Sequence, residues 1–288
     1  MRKSAVVPIA MDSAASTFSR SLSRFVEDVR VLALAPGSTR AVERLPDGRT
    51  ALVLRVLEEG RRGDLSVSGP LTRAHFKNAT GVARAVILQF KPGWSASLLG
   101  VPANELTDRI VFLEDLWGRS ASDLCFELLA ARTTQEVLDR LSSAIALRAR
   151  EAFEPASARL ARQAVRLLEA GEVRVEGVAE QLGVTARHLR RAFLETIGVG
   201  PKDFARTVRL QRAVRLASAS RDWASIAADA GYYDQAHLIA DFRELVGLTP
   251  GAFLRREGQR LAPTCSEGAQ THPLVPVLLP REGQRPSV

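Results

Sequence analysis

Apolar residues follow two different rhythms along this chain, and the change of rhythm divides it. Between residues 21 and 117 they gather in short runs closed by turn residues. Ala51-Leu52-Val53-Leu54-Arg55-Val56-Leu57 lies between Pro46-Asp47-Gly48 and Glu58-Glu59-Gly60, which predicts a buried strand. Ala85 to Phe90, stopped by Pro92-Gly93, predicts a second, and Arg109 to Leu113 a third. Leu65–Val67 and Val29–Leu34 are expected as edge strands. Such spacing predicts a β-rich N-terminal domain over 21–117, barrel- or sandwich-like in form. From Gly118 the period lengthens. Leu124 and Leu128, then Leu138, Leu141 and Ile145, recur at helical intervals and predict helices over 120–131 and 133–150, starting near Ser122 and Thr134. This stretch, 118–154, is expected to be a helical connector that packs on the β-rich domain or pairs with a second copy. Pro155 discourages continuation of the helix and marks a boundary. Residues 155–257 read as helical throughout. Residues 1–20, rich in Ser and Ala, and 258–288, rich in Pro, Gly, Ser and Arg, show no packing pattern and are expected to be disordered. The fold class is therefore α+β, with an all-α C-terminal domain.

Inside that domain the chain repeats itself. Glu195 to Arg206 lies over Glu244 to Arg255 at an offset of 49, matching Gly198 with Gly247, Pro201 with Pro250 and Phe204 with Phe253. Upstream, Val178-Ala179 to Gly183 lies over Ile226-Ala227 to Gly231 at an offset of 48, so a one-residue slip falls in the turn. Each copy reads as a helix-turn-helix. Ala179 and Ala227 are small enough for crossing helices to touch. Gly183 and Gly231 suit a left-handed helix end. Thr185 and Asp234 are good N-caps. Leu189 and Phe193, or Leu238 and Phe242, give the second helix its buried stripe. Between the units, Lys202 to about Ser218 predicts one helix. At about 1.5 Å per residue it is roughly 25 Å long. A spacer of that length holds two recognition helices about one DNA turn apart.

Charge sharpens the reading. The 288 residues carry a formal net charge of +8, which points to a polyanionic partner. Between Thr185 and Arg221 nine Arg or Lys residues face only Glu195 and Asp203. Arg187, Arg190 and Arg191 share one face of a helix, opposite Leu189 and Phe193. A guanidinium fork there pairs with guanine O6 and N7 or anchors a phosphate. In the second unit Ala236, Ile239 and Ala240 stand at the corresponding positions. That leaves Asp234, Gln235 and His237 as polar candidates, with Gln235 suited to an adenine edge. His188 and His237 are equivalent places, read as phosphate contacts or packing residues. Lys202, Arg206 and Arg209 are expected to touch phosphate.

Other chemistry is not indicated. The only cysteines, Cys125 and Cys265, are far apart and form no zinc or disulfide framework. His75 stands alone, Trp94, Trp117 and Phe90 read as core in preference to the lining of an effector cavity, and the glycines near Gly60, Gly63 and Gly69 fit no phosphate loop. No apolar run reaches the roughly 18 residues of a membrane span. The patch from Ala5 to Met11 is short and broken by Pro8, unlike a signal peptide. The expectation is a cytoplasmic DNA-binding regulator with no catalytic residues, metal or cofactor. An enzyme or DNA-repair alkyl acceptor fused to a helix-turn-helix is the competing reading; it requires a reactive cysteine or a zinc cluster.

The segments VAEQLGVTARHLRRAF and IAADAGYYDQAHLIADFRELVGLTPGAF, joined by GPKDFARTVRLQRAVRLA, resemble the DNA-binding domain of the AraC/XylS family over about 155–256. That resemblance implies that Arg187, Arg190 and Arg191 face the groove of double-stranded DNA, and that the protein acts through RNA polymerase. The family usually has arginine where Ala240 stands, a departure that puts base reading by the second unit in doubt. FKPGWSASLLGVPANELTDRIVFLEDLWG is similar to an uncharacterised N-terminal domain fused to such modules. Sensing of an unknown small-molecule effector, or formation of a homodimer, is its expected role.

Overall fold

The computed structural model describes residues 22–37, 39–58, 62–171, 174–217 and 222–261; of Arg40 and of 257–261 only the backbone is described. The expected disorder at 1–20 and over 262–288 therefore lies outside the described residues, as do Arg221 and Cys265.

Among the described residues seven strands form the N-terminal part: β1 (Val26–Ala33), β2 (Arg40–Arg44), β3 (Ala51–Leu57), β4 (Gly63–Ser68), β5 (His75–Ala79), β6 (Val82–Phe90) and β7 (Ile110–Phe112). Five of them make an antiparallel sheet in the order β1-β6-β3-β4-β7, and β2 pairs with β5 in a separate ribbon. Alternation explains the sheet. Leu52 sits opposite Leu88 on one side and Val67 on the other, and Leu54 likewise opposite Val86 and Leu65. These residues point to one face and form a buried core, against which the partly buried Val29, Val31 and Val111 pack.

Two expectations change here. The sheet is open, with β1 and β7 at its edges, so no barrel closes. Moreover, β4 lies inside the sheet, because β7 pairs along its outer side. The ribbon β2–β5 was not foreseen; Arg40–Arg44 and His75–Ala79 are polar and carry little alternation. From this ribbon Arg44 reaches the sheet, donating to the carbonyls of Arg49 and Gly69 at 2.8 and 2.9 Å and to Ser68 Oγ.

Short helices α1 (Ser95–Leu99) and α2 (Glu114–Trp117) flank a 3-10 turn at Ala103–Glu105. Helices α3 (Arg119–Ala130) and α4 (Thr134–Glu151) then lay Leu124, Leu128, Leu138, Leu141 and Ile145 into the same core as the sheet. Their apolar stripes are thus buried within the chain. Thr133, one residue before the expected start, caps α4 by accepting from the Glu136 amide, whereas Ser122 is inside α3.

The C-terminal part runs through α5 (Ala156–Ala170), α6 (Val175–Gln181), α7 (Ala186–Thr196), α8 (Pro201–Leu216), α9 (Trp223–Ala230), α10 (Gln235–Val246) and α11 (Pro250–Leu261). Helix α11 passes the expected boundary at 257. Contacts divide the chain after Pro250, and α11 belongs mainly to the segment that follows.

Within the larger unit the β-rich part touches both helix-turn-helix regions. Thr107 Oγ1 donates to the carbonyl of Gly198 at 2.7 Å, and the Ala74 amide donates to the carbonyl of Leu245 at 2.7 Å. Gln211 Nε2 reaches the carbonyl of Pro46 at 2.8 Å. Gly48 takes a positive φ of 64° and lies so close to Phe204 that a Cβ there would fall 2.6 Å from the ring. Trp94 is held between two guanidinium groups, Arg24 at 4.6 Å and Arg162 at 3.9 Å from the ring centroid. Both arginines pair with Glu154.

Candidate nucleic-acid interface

The first unit is α6 and α7. Val178 and Ala179 are buried in α6, and Gly183 makes the turn at a φ of +66°. The Val184 amide closes that turn on the Ala179 carbonyl at 2.9 Å. Thr185 has extended backbone and its hydroxyl accepts from the His188 amide at 3.1 Å, as an N-cap does. Helix α7 buries Leu189, Ala192 and Phe193, and leaves Arg187, His188, Arg190 and Arg191 exposed. The three arginines occupy one face because positions three and four apart are neighbours on a helix.

The second unit, α9 and α10, repeats this plan. Ile226 and Ala227 are buried, Gly231 turns at a φ of +87°, and the Tyr232 amide closes on the Ala227 carbonyl at 2.9 Å. Asp234 Oδ1 accepts from the His237 amide at 2.7 Å. Helix α10 buries Leu238, Phe242, Leu245 and Val246 and exposes Gln235, Ala236, His237 and Ala240. The His237 ring stands edge-on to Tyr232, with centroids 5.3 Å apart.

The connecting helix α8 has 16 residues, about 24 Å of rise. Proline at its first position suits a helix start, because the missing N–H would have no intrahelical partner. Phe204 is fully buried and meets Phe193 of α7 edge-to-face, with centroids 5.8 Å apart. Thus the first unit is fixed to α8 by apolar packing.

Ion pairs join the second unit to α8. Arg206 binds Asp241 Oδ1 at 2.8 Å and Glu244 Oε2 at 2.6 Å, and Arg209 lies 3.8 Å from Asp241 Oδ2. Hydrogen bonds donated to Glu244 and then to Asp241 hold the Arg206 guanidinium well above its ordinary pKa. Arg206 and Arg209, two of the expected phosphate contacts, therefore sit in an ion-pair network. Both are more than four-fifths buried at the side chain and turned toward carboxylates of α10, while Lys202 is exposed. Asp241 occupies the place of Ala192 in the repeat and is only 6% exposed. An acidic residue inside an apolar stripe was the available signal, and sequence reasoning passed over it. It also passed over Tyr233, 93% exposed beside the N-cap of α10. Among the described residues no cluster of three metal-ligating side chains occurs.

Residues 178–256 match a family described as a helix-turn-helix domain. They form a helix-turn-helix domain of the AraC type. Residues 19–112 match a second family, a domain of unknown function, DUF6597. A curated relative, the HTH-type transcriptional regulator GlxA of Rhizobium meliloti (strain 1021), is 39% identical over 82 residues, covering 28% of this chain. The chain spans about a quarter of that relative's length, 25%. Solved structures of ToxT from Vibrio cholerae resemble the chain loosely. The apo form of a single-residue ToxT variant aligns with 79% of this chain and 96% of its own at 16% identity and a TM-score of 0.39. A 1.65 Å structure of ToxT aligns with 79% of this chain and 97% of its own at 10% identity and 0.42. The helix-turn-helix match takes in α7 and α10, and the DUF6597 match covers all seven strands.

Proposed function

We propose that this chain is a sequence-specific transcription regulator that lays α7 and α10 into successive major grooves of double-stranded DNA. One observation carries the reading: two recognition helices, each capped and buried on one side, leave their opposite faces open and are joined through one rigid helix. Arg187, Arg190 and Arg191 supply the base and phosphate contacts of the first unit, with His188 at its edge. Gln235 and His237 serve the second, where Ala236 and Ala240 lie against thymine methyl groups. Lys202 adds a phosphate contact, while Thr185 and Asp234 order the helix starts.

The DUF6597 domain is the regulatory part in this reading, acting through an effector or a second copy, with RNA polymerase as the downstream partner in the cytoplasm. The cavity beside Trp94, lined by Arg24, Phe25, Ser97, Leu98 and Glu154, measures about 60 Å³. Pockets for drug-sized ligands run to roughly 300 Å³ or more, so such an effector would have to open it. An alkyl-acceptor role fits Cys125 poorly, because burial pushes its thiol up to about 11.

The test is retention of duplexes from a random-sequence library by the purified full chain, followed by a salt titration. Enrichment of one sequence and a steep linear fall of log affinity with log salt are expected. Absence of any retained duplex at low salt would remove the proposal.

A further inference from the structure

The two units share one backbone plan, interrupted at one point. From Ala179 to Val184 and from Ala227 to Tyr232 they run in step and close with the same backbone bond. From Thr185 and Asp234 onward the second copy is one residue behind. The inserted residue is Tyr233. Its neighbour Tyr232 is buried, edge-on to His237 and with the Arg209 guanidinium 5.4 Å from its ring centroid. With Tyr232 anchored inward, the insertion sets a whole tyrosine side chain outside the fold, which leaves apolar ring area in water.

Its position gives that exposure a use. Tyr233 directly precedes the cap of α10, and residues at the N-terminal end of a recognition helix are those that meet the groove. The same helix lacks the arginine trio of α7. We infer that Tyr233 is a DNA contact of the second unit, its hydroxyl donating to a phosphate oxygen at the groove edge while the ring lies along the adjoining sugar. This inference rests on the DNA-binding reading above. A phosphate contact fixes register without reading sequence, which suits a unit poor in base-reading side chains.

The experiment uses the full chain and the duplex that the wild-type chain enriches from the random library. Tyr233→Phe should weaken binding roughly tenfold, as loss of a hydrogen bond to a charged group does, and Tyr233→Ala, which also removes the ring, more than that. Their melting temperatures should equal that of wild type. A single neutral methylphosphonate in the half of the site covered by α10 should abolish the difference between wild type and Tyr233→Phe. Wild-type affinity in Tyr233→Phe overturns the inference, as does a fall in melting temperature that accompanies weaker binding. Failure of the broader reading looks different, because the wild-type chain would then enrich no duplex.

Discussion

Asp241 of the second recognition helix accepts from Arg206 of the connecting helix at 2.8 Å, at a position where the first unit has Ala192. The second unit therefore adds an ion pair to its grip on the spacer where the first has a small apolar residue. Breaking a buried ion pair from one side leaves the other charge uncompensated, at about 3–5 kcal/mol. Glu244 remains for Arg206, so Asp241→Ala should cost less, about 2 kcal/mol. Urea unfolding should show a lower midpoint at unchanged slope. A raised midpoint would place the stabilisation in packing instead.

Thr107 links the β-rich part to the end of the first recognition helix through its bond to Gly198. Thr107→Val keeps the shape and removes the donor, at a cost of about 1 kcal/mol. For a chain of this size the melting temperature should fall by roughly 2–4 °C. Scanning calorimetry reads this directly, and an unchanged midpoint would mean that water replaces the lost bond at no cost.

Arg191 is exposed on α7, so its removal should spare the fold. Arg191→Ala should weaken binding of the enriched duplex by about 1–3 kcal/mol and relax preference at one base pair. A uniform loss across sequences, with a shallower salt slope, would reassign the side chain to phosphate.

Much of this was legible in the chain. The helix-turn-helix units were readable because capping residues, turn glycines and buried stripes agree locally and occur twice. The buried strands β3 and β6 were readable for a similar reason, each being an apolar run closed by turn residues. What escaped depends on partners distant in sequence. The polar ribbon β2–β5 is held by Arg44 reaching Ser68 and Gly69. No local pattern shows that Arg206 would find Asp241, 35 residues away. Position in a sheet is likewise non-local; β4 looks like an edge until β7, over forty residues later, pairs beside it.

Cys125 offers a check on the packing of α3 against the sheet. Burial, with Asp64 and Glu114 adding to it, raises its thiol from 9.0 to about 11. A raised thiol pKa favours the neutral form in the folded state, so this stabilisation holds below pH 9 and fades as pH climbs through 11. At pH 8 the thiolate fraction should be about a hundredfold below that of an ordinary cysteine. In a Cys265→Ser background, alkylation by iodoacetamide should be slower by that order, and urea should restore the rate. Rapid alkylation of the native chain would contradict the half-buried placement.

The donors on Thr107 and the Ala74 amide reach carbonyls at or just beyond the C-terminal ends of the two recognition helices. Both are borne by the same strand-built body, so neither helix can pivot without loading the other. On the DNA-binding reading proposed above, the spacing set by α8 is braced from the N-terminal side as well, and a foreign N-terminal half grafted at Pro155 would remove both braces at once.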